Sequence, residues 1–227
     1  MSNSEDQQNS QGTFVSLLSS AVVIEEYIGS PRGSLFADEE TFIAKALPRR
    51  QLEFACGRTC ARKALATLGL DSVSIPVGSM REPLWPKGIV GSITHSNDFF
   101  AAAVAQNTKV RAIGIDVERN ALVQDSIFQE ISTAEDRSHI QQLSLSLASD
   151  SPWRALLFSA KESLYKVWYP WTHCWLDFEQ ANIRFAPDRM QFECILNHPV
   201  AILKGFPRLL KGRYRWTEKH VFTAIEL

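Results

Sequence analysis

Hydrophobic and polar positions follow two different periods along this chain, and these periods predict helices and strands. Apolar residues recur every three to four positions in the helical stretches, whereas β-branched and aromatic residues cluster or alternate in the strands. The helical pattern covers residues 36–47, 49–68, 127–131, 135–147 and 153–168. The strand pattern covers residues 14–26, 74–77, 89–95, 99–105, 113–118, 181–185, 190–196, 213–216 and 221–225. A long helix precedes strands in each half, which is compatible with two similar lobes in one compact unit.

The helix predicted at 49–68 separates an apolar stripe from a basic flank. The stripe consists of residues four apart: Leu52, Cys56, Cys60, Ala64 and Leu68. Arg50, Arg58 and Arg62 lie together on one flank because they are eight and four positions apart. That flank is either an ordinary solvated face or a grip for phosphate, whose oxygens match the parallel donors of a guanidinium.

Two carboxylates share one face of the strand predicted at 113–118. Residues two apart in a strand point to the same side, so Asp116 and Glu118 project together. Neighbouring carboxylates repel each other unless a cation lies between them or one stays protonated. Mg²⁺ binds one or two carboxylates together with phosphate oxygens and water. The alternative is a strand that leaves the core, with both acids solvated.

Three further candidates depend on their surroundings. His95 ends a strand beside hydroxyl residues, where it is either a structural hydrogen-bonding group or a ligand contact. Arg81 lies in a loop rich in proline and glycine, where it is either exposed or held over a ligand. Glu162 and Lys166 are four apart on the helix predicted at 153–168. Alone, such a pair is an exposed ion pair worth about 0.3–0.5 kcal/mol.

Composition excludes several classes of protein. The 227 residues carry a formal net charge of -1, which gives no global case for binding nucleic acid or an anionic membrane. No apolar run approaches the ~20 residues of a membrane-spanning helix. Residues 1–12 are polar, so we expect a disordered tail and a cytoplasmic protein. The four cysteines form no CxxC pair, which is typical of a reducing compartment.

Three segments that occur in order carry a family resemblance: GSITHS at 91–96, GIDVE at 114–118 and FSAKESLYKVW at 158–168. Together they resemble the 4'-phosphopantetheinyl transferases, the enzymes that load carrier proteins. The runs RRQLEF, REPLWPKGIVGSITH and KESLYKVWYP are most similar to the subgroup of enterobactin-synthetase component D and the actinobacterial broad-specificity enzymes. The resemblance extends from about residue 49 to 178, and the chain length is typical of the monomeric, two-lobed class.

The resemblance implies an α+β fold of two similar α/β lobes with a pseudo-twofold relation. Each lobe would be a small, mainly antiparallel sheet packed on a long helix. Residues 13–115 would form an N-terminal lobe that grips the 3'-phosphate and adenine of coenzyme A. Residues 116–227 would form a C-terminal lobe with the metal site and the carrier docking surface.

The implied reaction transfers 4'-phosphopantetheine from coenzyme A to a serine of an apo acyl or peptidyl carrier protein, and it leaves adenosine 3',5'-bisphosphate. The alternative is a metal-dependent phosphohydrolase that acts on coenzyme A or a related nucleotide without a carrier. A coenzyme-binding or scaffold protein without activity is a third reading.

The resemblance also implies residue roles. Mg²⁺, or Mn²⁺ in its place, would be held by Asp116, Glu118 and Glu162. Glu162 or a metal-bound water would accept the serine proton, and Lys166 would stabilise or protonate the departing phosphate. The residues expected to contact coenzyme A are Arg50, Arg58, Arg81, Thr94, His95, Lys161 and Lys166. Glu82 departs from the family pattern, because many members carry a lysine there.

The carrier is expected to dock against residues 125–147, which follow the carboxylate strand closely, and against the start of the helix predicted at 153–168. Carrier proteins are acidic helical bundles, so basic or apolar contacts are expected. Phe128, Ile131 and Arg137 are the candidates in that segment.

Overall fold

A computed structural model describes residues 13–70, 73–146 and 151–227. The tail expected at 1–12 and the last residue of the helix expected at 135–147 lie outside these ranges. Within them, no helix is both long and apolar enough to cross a membrane.

The N-terminal lobe is a three-stranded antiparallel sheet covered by helices. Strands β1 (Val23–Ile28), β2 (Ile89–Ser96) and β3 (Phe99–Gln106) form the sheet in the order β1-β3-β2. Helices α1 (Ala37–Ile43) and α2 (Pro48–Thr67) precede β2 in the chain. Helix α2 begins at Pro48, where a proline is tolerated because the first helical N–H has no intrahelical partner.

Helix α2 packs closely on β3 because both surfaces are built from small residues. Cys56, Cys60 and Ala64 are buried in one cluster with Ala102 and Val104 of the sheet. The predicted stripe is therefore confirmed along the middle of the helix. The prediction is wrong for Leu52, the first residue of the stripe, which remains 48% exposed. The first turns of α2 border an open cavity between the lobes instead of packing on the apolar sheet.

The C-terminal lobe is a five-stranded antiparallel sheet packed on a long helix. The strands are β4 (Ile113–Arg119), β5 (Ala181–Ala186), β6 (Gln191–Leu196), β7 (Leu209–Trp216) and β8 (His220–Glu226). Their order is β4-β8-β7-β6-β5. The helices are α3 (Asp125–Ile131), α4 (Ala134–Ser146), α5 (Trp153–Thr172) and the short α6 (Val200–Leu203). The predicted α+β fold, with two antiparallel sheets and a long helix against each, is confirmed.

The carboxylate strand β4 lies where the two lobes meet. It begins at Ile113, three residues before Asp116, where the C-terminal lobe was expected to begin. Helix α5 crosses it closely at Gly114, where an added Cβ would stand 2.0 Å from the carbonyl oxygen of Ser163. Only glycine permits this approach, so β4 and α5 bring their side chains into one cleft.

Two predicted strands differ from the structure. The range predicted at 14–26 is a strand only from Val23 onwards, where β1 begins, and it is preceded by a short 3-10 helix, Phe14–Ser16. Phe14 is fully buried, and its N–H donates to the Glu26 carboxylate. The apolar residues before β1 therefore pack in the core without pairing with a strand of the sheet. Residues 74–77 make only one bridge, Val77 to Pro83, since the prolines in this loop have no N–H for a ladder.

Candidate active site

Asp116 lies at the centre of the cleft with half of its carboxylate unpaired. The residue is 4% exposed. Its Oδ1 accepts hydrogen bonds from Lys166 Nζ at 2.7 Å and from the Thr94 hydroxyl at 3.3 Å. Its Oδ2 is buried and has no hydrogen-bond partner among the described residues. A buried carboxylate oxygen without a donor is unfavourable, and a bound cation would satisfy it.

Glu118 and Glu162 add negative charge to the same cleft. The pKa of Glu118 is raised to about 7, chiefly by desolvation and then by the Asp116 and Glu162 carboxylates, while Lys166 opposes the shift. Desolvation also raises the pKa of Glu162, with Lys166 opposing and Asp116 reinforcing the effect. Across the described part of the chain, no three acidic, histidine or cysteine side chains already form a metal cage. The donor set nevertheless fits a hard cation, since it consists of carboxylate oxygens with uncompensated charge.

Lys166 of helix α5 forms its ion pair with Asp116 of strand β4, and not with Glu162 on its own helix. Its ammonium donates to Asp116 Oδ1 and, at 3.0 Å, to the carbonyl oxygen of Ile115. In the described ranges, no ion pair joins Lys166 to Glu162. The simple i,i+4 pair is therefore the wrong reading, and α5 directs both side chains towards β4.

A cavity of about 240 Å³ adjoins the carboxylates and is strongly basic. Its charged and polar lining residues are Arg50, Glu53, Arg58, Arg81, Thr94, His95, Asp116 and Lys166. All of the residues that were expected to contact coenzyme A, except Lys161, line this one cavity. The basic flank of α2 is therefore not an ordinary solvated face.

Arg58 is held with one nitrogen still available. The residue is 4% exposed; its Nε donates to the carbonyl oxygen of Ile75 at 2.9 Å, and its guanidinium lies 4.4 Å from the centre of the Phe54 ring. Desolvation lowers its pKa to about 10. Its Nη2 is buried without a hydrogen-bond partner in the described ranges. Arg62, four residues on, pairs with the fully buried Glu39 at 2.9 Å and supports the fold.

His95 is a neutral group in contact with Arg50. A guanidinium can only donate, so His95 Nε2 accepts from Arg50 Nη1 and the ring proton lies on Nδ1. Desolvation and the nearby Arg50 lower the pKa of His95 to about 4. The imidazole therefore contributes polarity to the basic cavity without adding a positive charge.

The loop between Val77 and Pro83 fixes Arg81 at the edge of the same cavity. Arg81 has φ 69°, a left-handed conformation that is strained for arginine. The Glu82 carboxylate supports the loop by accepting the N–H of Met80 at 2.9 Å. An added Cβ at Gly78 would lie 2.0 Å from that carboxylate. Glu82 is thus used within the loop, while Arg81 is free to line the cleft.

Two residues expected to contact coenzyme A, Thr94 and Lys161, already have partners within the protein. Thr94 is 3% exposed; its hydroxyl oxygen accepts the N–H of Val117 at 3.0 Å and its hydroxyl donates to Asp116. Lys161 points away from the cleft, because neighbouring residues of a helix differ by about 100° in direction. Its ammonium is buried against Asp136 at 2.6 Å, so it is not free to face a phosphate there.

Aromatic residues of α5 and the segment after it line an apolar cavity that the sequence did not assign. The cavity measures about 280 Å³ and borders Glu162. Tyr165, Trp175 and Phe178 form much of its wall. The hydroxyl of Tyr165 is buried without a partner among the described residues. The available signals were the aromatic run at 171–178 and the position of Tyr165, one helical turn after Glu162.

The residues expected to contact a carrier are mostly buried. Phe128 and Ile131 are 6% and 4% exposed, and Arg137 donates to the carbonyl oxygen of Ser132 at 2.6 Å. They are therefore parts of the lobe's own packing. The exposed apolar residues beside them are Leu122, 99% exposed, and Ile127, 46% exposed.

Comparison with known proteins identifies two matching family models. Residues 38–105 match the 4'-phosphopantetheinyl transferase N-terminal domain, and residues 112–205 match the 4'-phosphopantetheinyl transferase superfamily. The chain is 40% identical to 4'-phosphopantetheinyl transferase Svp of Streptomyces mobaraensis, over 86% of this chain and 79% of the relative. It is 34% identical to PptT of Mycobacterium tuberculosis, over 95% and 99%. It is also 34% identical to enterobactin synthase component D of Salmonella typhimurium, over 52% and 48%.

Proposed function

The chain belongs to the 4'-phosphopantetheinyl transferase family, and we propose that its cleft transfers 4'-phosphopantetheine from coenzyme A to a serine of an apo carrier protein. Adenosine 3',5'-bisphosphate is the second product. The observation that carries the assignment of this cleft is the unpaired Oδ2 of Asp116 beside a cavity lined by three arginines. The carboxylate part of the cleft suits a cation, and the adjoining arginine-lined cavity suits an anion such as phosphate.

The metal would be held by Asp116, Glu118 and Glu162. Their oxygens suit Mg²⁺ or Mn²⁺, which are both hard cations. A cation bound there would neutralise charge that develops on the pyrophosphate oxygens. All three carboxylates come from a single copy of the chain, which supports a monomeric enzyme.

The basic cavity would bind the nucleotide end of coenzyme A. Arg58 Nη2 already lacks a partner, so a phosphate oxygen would complete its hydrogen bonding. Arg50 and Arg81 line the same cavity from α2 and from the opposite loop. The neutral His95 would donate its Nδ1 proton to a phosphate oxygen.

Lys166 and Glu162 would handle the protons of the transfer. Lys166 Nζ lies beside Asp116 and faces the basic cavity, so it is placed to donate to the departing phosphate oxygen. Glu162 borders both the cleft and the apolar cavity. This position would allow its carboxylate to accept the proton of the serine hydroxyl.

The pantetheine arm would enter the apolar cavity beside Glu162. The arm is uncharged, and the aromatic wall formed by Tyr165, Trp175 and Phe178 suits it better than the basic cavity does. The Tyr165 hydroxyl would find a partner among the amide groups of the arm. The carrier would then approach from the side of Leu122 and Ile127, where apolar surface is exposed.

The decisive experiment is to incubate the protein with coenzyme A, Mg²⁺ and an apo carrier, and then to measure the mass of the carrier. The proposal expects a gain of one phosphopantetheine group and release of adenosine 3',5'-bisphosphate. The Asp116→Asn variant is the matched control and should give almost no modified carrier. Consumption of coenzyme A without modified carrier would indicate a phosphohydrolase, and no reaction at all would indicate a binding protein.

A further inference from the structure

The segment Cys174–Phe178, which we name the aromatic strap, turns back along helix α5 and is held at both ends. His173 adopts φ 53° at the end of the helix and reverses the chain. Trp168 Nε1 donates to the carbonyl oxygen of Cys174 at 2.7 Å, and Lys161 Nζ donates to that of Phe178 at 2.6 Å. Lys161 and Trp168 are seven residues apart and therefore lie on one face of α5.

The aromatic strap is the outer wall of the apolar cavity beside Glu162. Trp175 packs edge-on against Tyr165 of the helix, with ring centres 5.3 Å apart. Phe178 packs against Phe158 at 6.1 Å. The cavity lies between the strap and the helix, so its width depends on where the two strap ends are fixed.

A second contact fixes the position of the Lys161 ammonium. Asp136 Oδ2 lies 2.6 Å from Nζ, and both side chains are at most 3% exposed. The same carboxylate accepts the N–H of Ile183 at 2.7 Å and that of Thr133 at 3.0 Å. Helix α4 and strand β5 thus fix the carboxylate, which in turn fixes the lysine. A buried ion pair contributes little net stability, but its geometry strongly constrains the groups around it.

We propose that Lys161 is a positioning residue that holds the aromatic strap and thereby shapes the cavity for the pantetheine arm, without contacting a phosphate. This inference rests on the proposed function for the identity of the ligand. It differs from the phosphate role that the resemblance implies for this lysine. The two roles make opposite predictions for a ligand that has the phosphates and lacks the arm.

The test compares coenzyme A with 3'-phosphoadenosine 5'-diphosphate, which carries all three phosphates of coenzyme A and no pantetheine. The Lys161→Met, Asp136→Asn double variant removes both buried charges together, so neither is left uncompensated. Isothermal titration calorimetry should show about a tenfold weaker affinity for coenzyme A, the equivalent of one lost contact, and a nearly unchanged affinity for 3'-phosphoadenosine 5'-diphosphate. The Trp168→Phe variant releases the other strap end and should give the same selective loss.

Leu157→Ala is the matched control for lost stability. Leu157 is fully buried one turn before Lys161 and does not line the apolar cavity, so its truncation lowers the thermal midpoint while both strap hydrogen-bond donors stay in place. Its two affinities should keep the wild-type ratio. Equal weakening of both ligands in the double variant would assign Lys161 to the phosphates and overturn the proposal. Unchanged affinity for both would also overturn it. A wild-type protein that binds neither ligand would refute the proposed function itself.

Discussion

Replacement of Arg58 by methionine tests the nucleotide grip, because the structure allows the two consequences to be separated. The variant loses a charge-assisted hydrogen bond to Ile75, worth about 1.5–3 kcal/mol, and the contact with Phe54, worth roughly 0.5–2 kcal/mol. It also removes a buried Nη2 whose missing partner costs about 1–3 kcal/mol in the free protein. The opposing contributions largely cancel, so we expect the free energy of unfolding to fall by less than about 2 kcal/mol.

Coenzyme binding should respond much more strongly. One lost charge-assisted contact with a phosphate is worth about 1.5–3 kcal/mol, which corresponds to a roughly 10- to 100-fold higher KM for coenzyme A. Dephospho-coenzyme A lacks the 3'-phosphate, so its KM should change little. Steady-state transfer with both substrates, together with thermal melts, measures the two effects.

Arg62→Met is the control with the opposite pattern. Its guanidinium pairs with the buried Glu39, which would remain as an uncompensated charge, so the thermal midpoint should fall further than in Arg58→Met. The KM for coenzyme A should stay close to the wild-type value. If Arg58→Met raised the KM for coenzyme A and dephospho-coenzyme A equally, the 3'-phosphate assignment would be refuted.

Four further outcomes are expected. Glu162→Gln should lower the transfer rate by about 10²-fold or more and raise the metal-free thermal midpoint, since the folded protein disfavours this charge; transfer at the wild-type rate would contradict a three-carboxylate site. The pKa of Glu118 is raised from 4.5 to about 7 in the folded state, so ionisation of this carboxyl should lower the metal-free stability progressively between about pH 4.5 and about pH 7, and melts with Glu118→Gln should lack that contribution. Thr94→Val should weaken Mg²⁺ binding several-fold in a calorimetric titration, because it removes a hydroxyl that positions a carboxylate, and an unchanged affinity would dispute that role. Ile127→Ala should raise the KM for the carrier alone, whereas Phe128→Ala should mainly lower the thermal midpoint; the reverse result would exclude this docking surface.

Periodicity was sufficient to predict the elements that position the site. The helix expected at 49–68 is Pro48–Thr67, and the one expected at 153–168 begins at Trp153 and continues to Thr172. The shared face of Asp116 and Glu118 follows from the pleat alone, so it needs no tertiary information. An apolar run without a clear period predicts burial but not secondary structure. Residues 14–26 are partly buried, yet their sequence did not indicate that a 3-10 turn precedes the strand.

Partners from distant parts of the chain explain what the sequence could not predict. Arg58 and Arg62 share a flank of α2, yet Glu39 pairs with Arg62 and leaves Arg58 to the cavity. Lys161 stands next to Glu162 in sequence, but Asp136, 25 positions earlier, holds its ammonium on the other side of the helix. In both cases, residue type and position along the helix do not distinguish a side chain that faces the cleft from one that pairs within the fold. Only the fold distinguishes them.

The GSITHS segment shows how one strand serves both structure and chemistry. Strands β2 and β4 are edge strands of different sheets, so the N–H groups of β4 on this side have no ladder partner. The Ser92 and Thr94 hydroxyls accept them from Ile115 and Val117, because residues two apart in both strands face each other. His95, between these hydroxyls and the turn, faces the opposite side and meets Arg50. The same pleat that joins the lobes thus directs one residue to the carboxylate and its neighbour to the basic cavity. A shift of one residue in this strand would turn His95 away from Arg50 and would remove the Thr94 hydroxyl from Asp116.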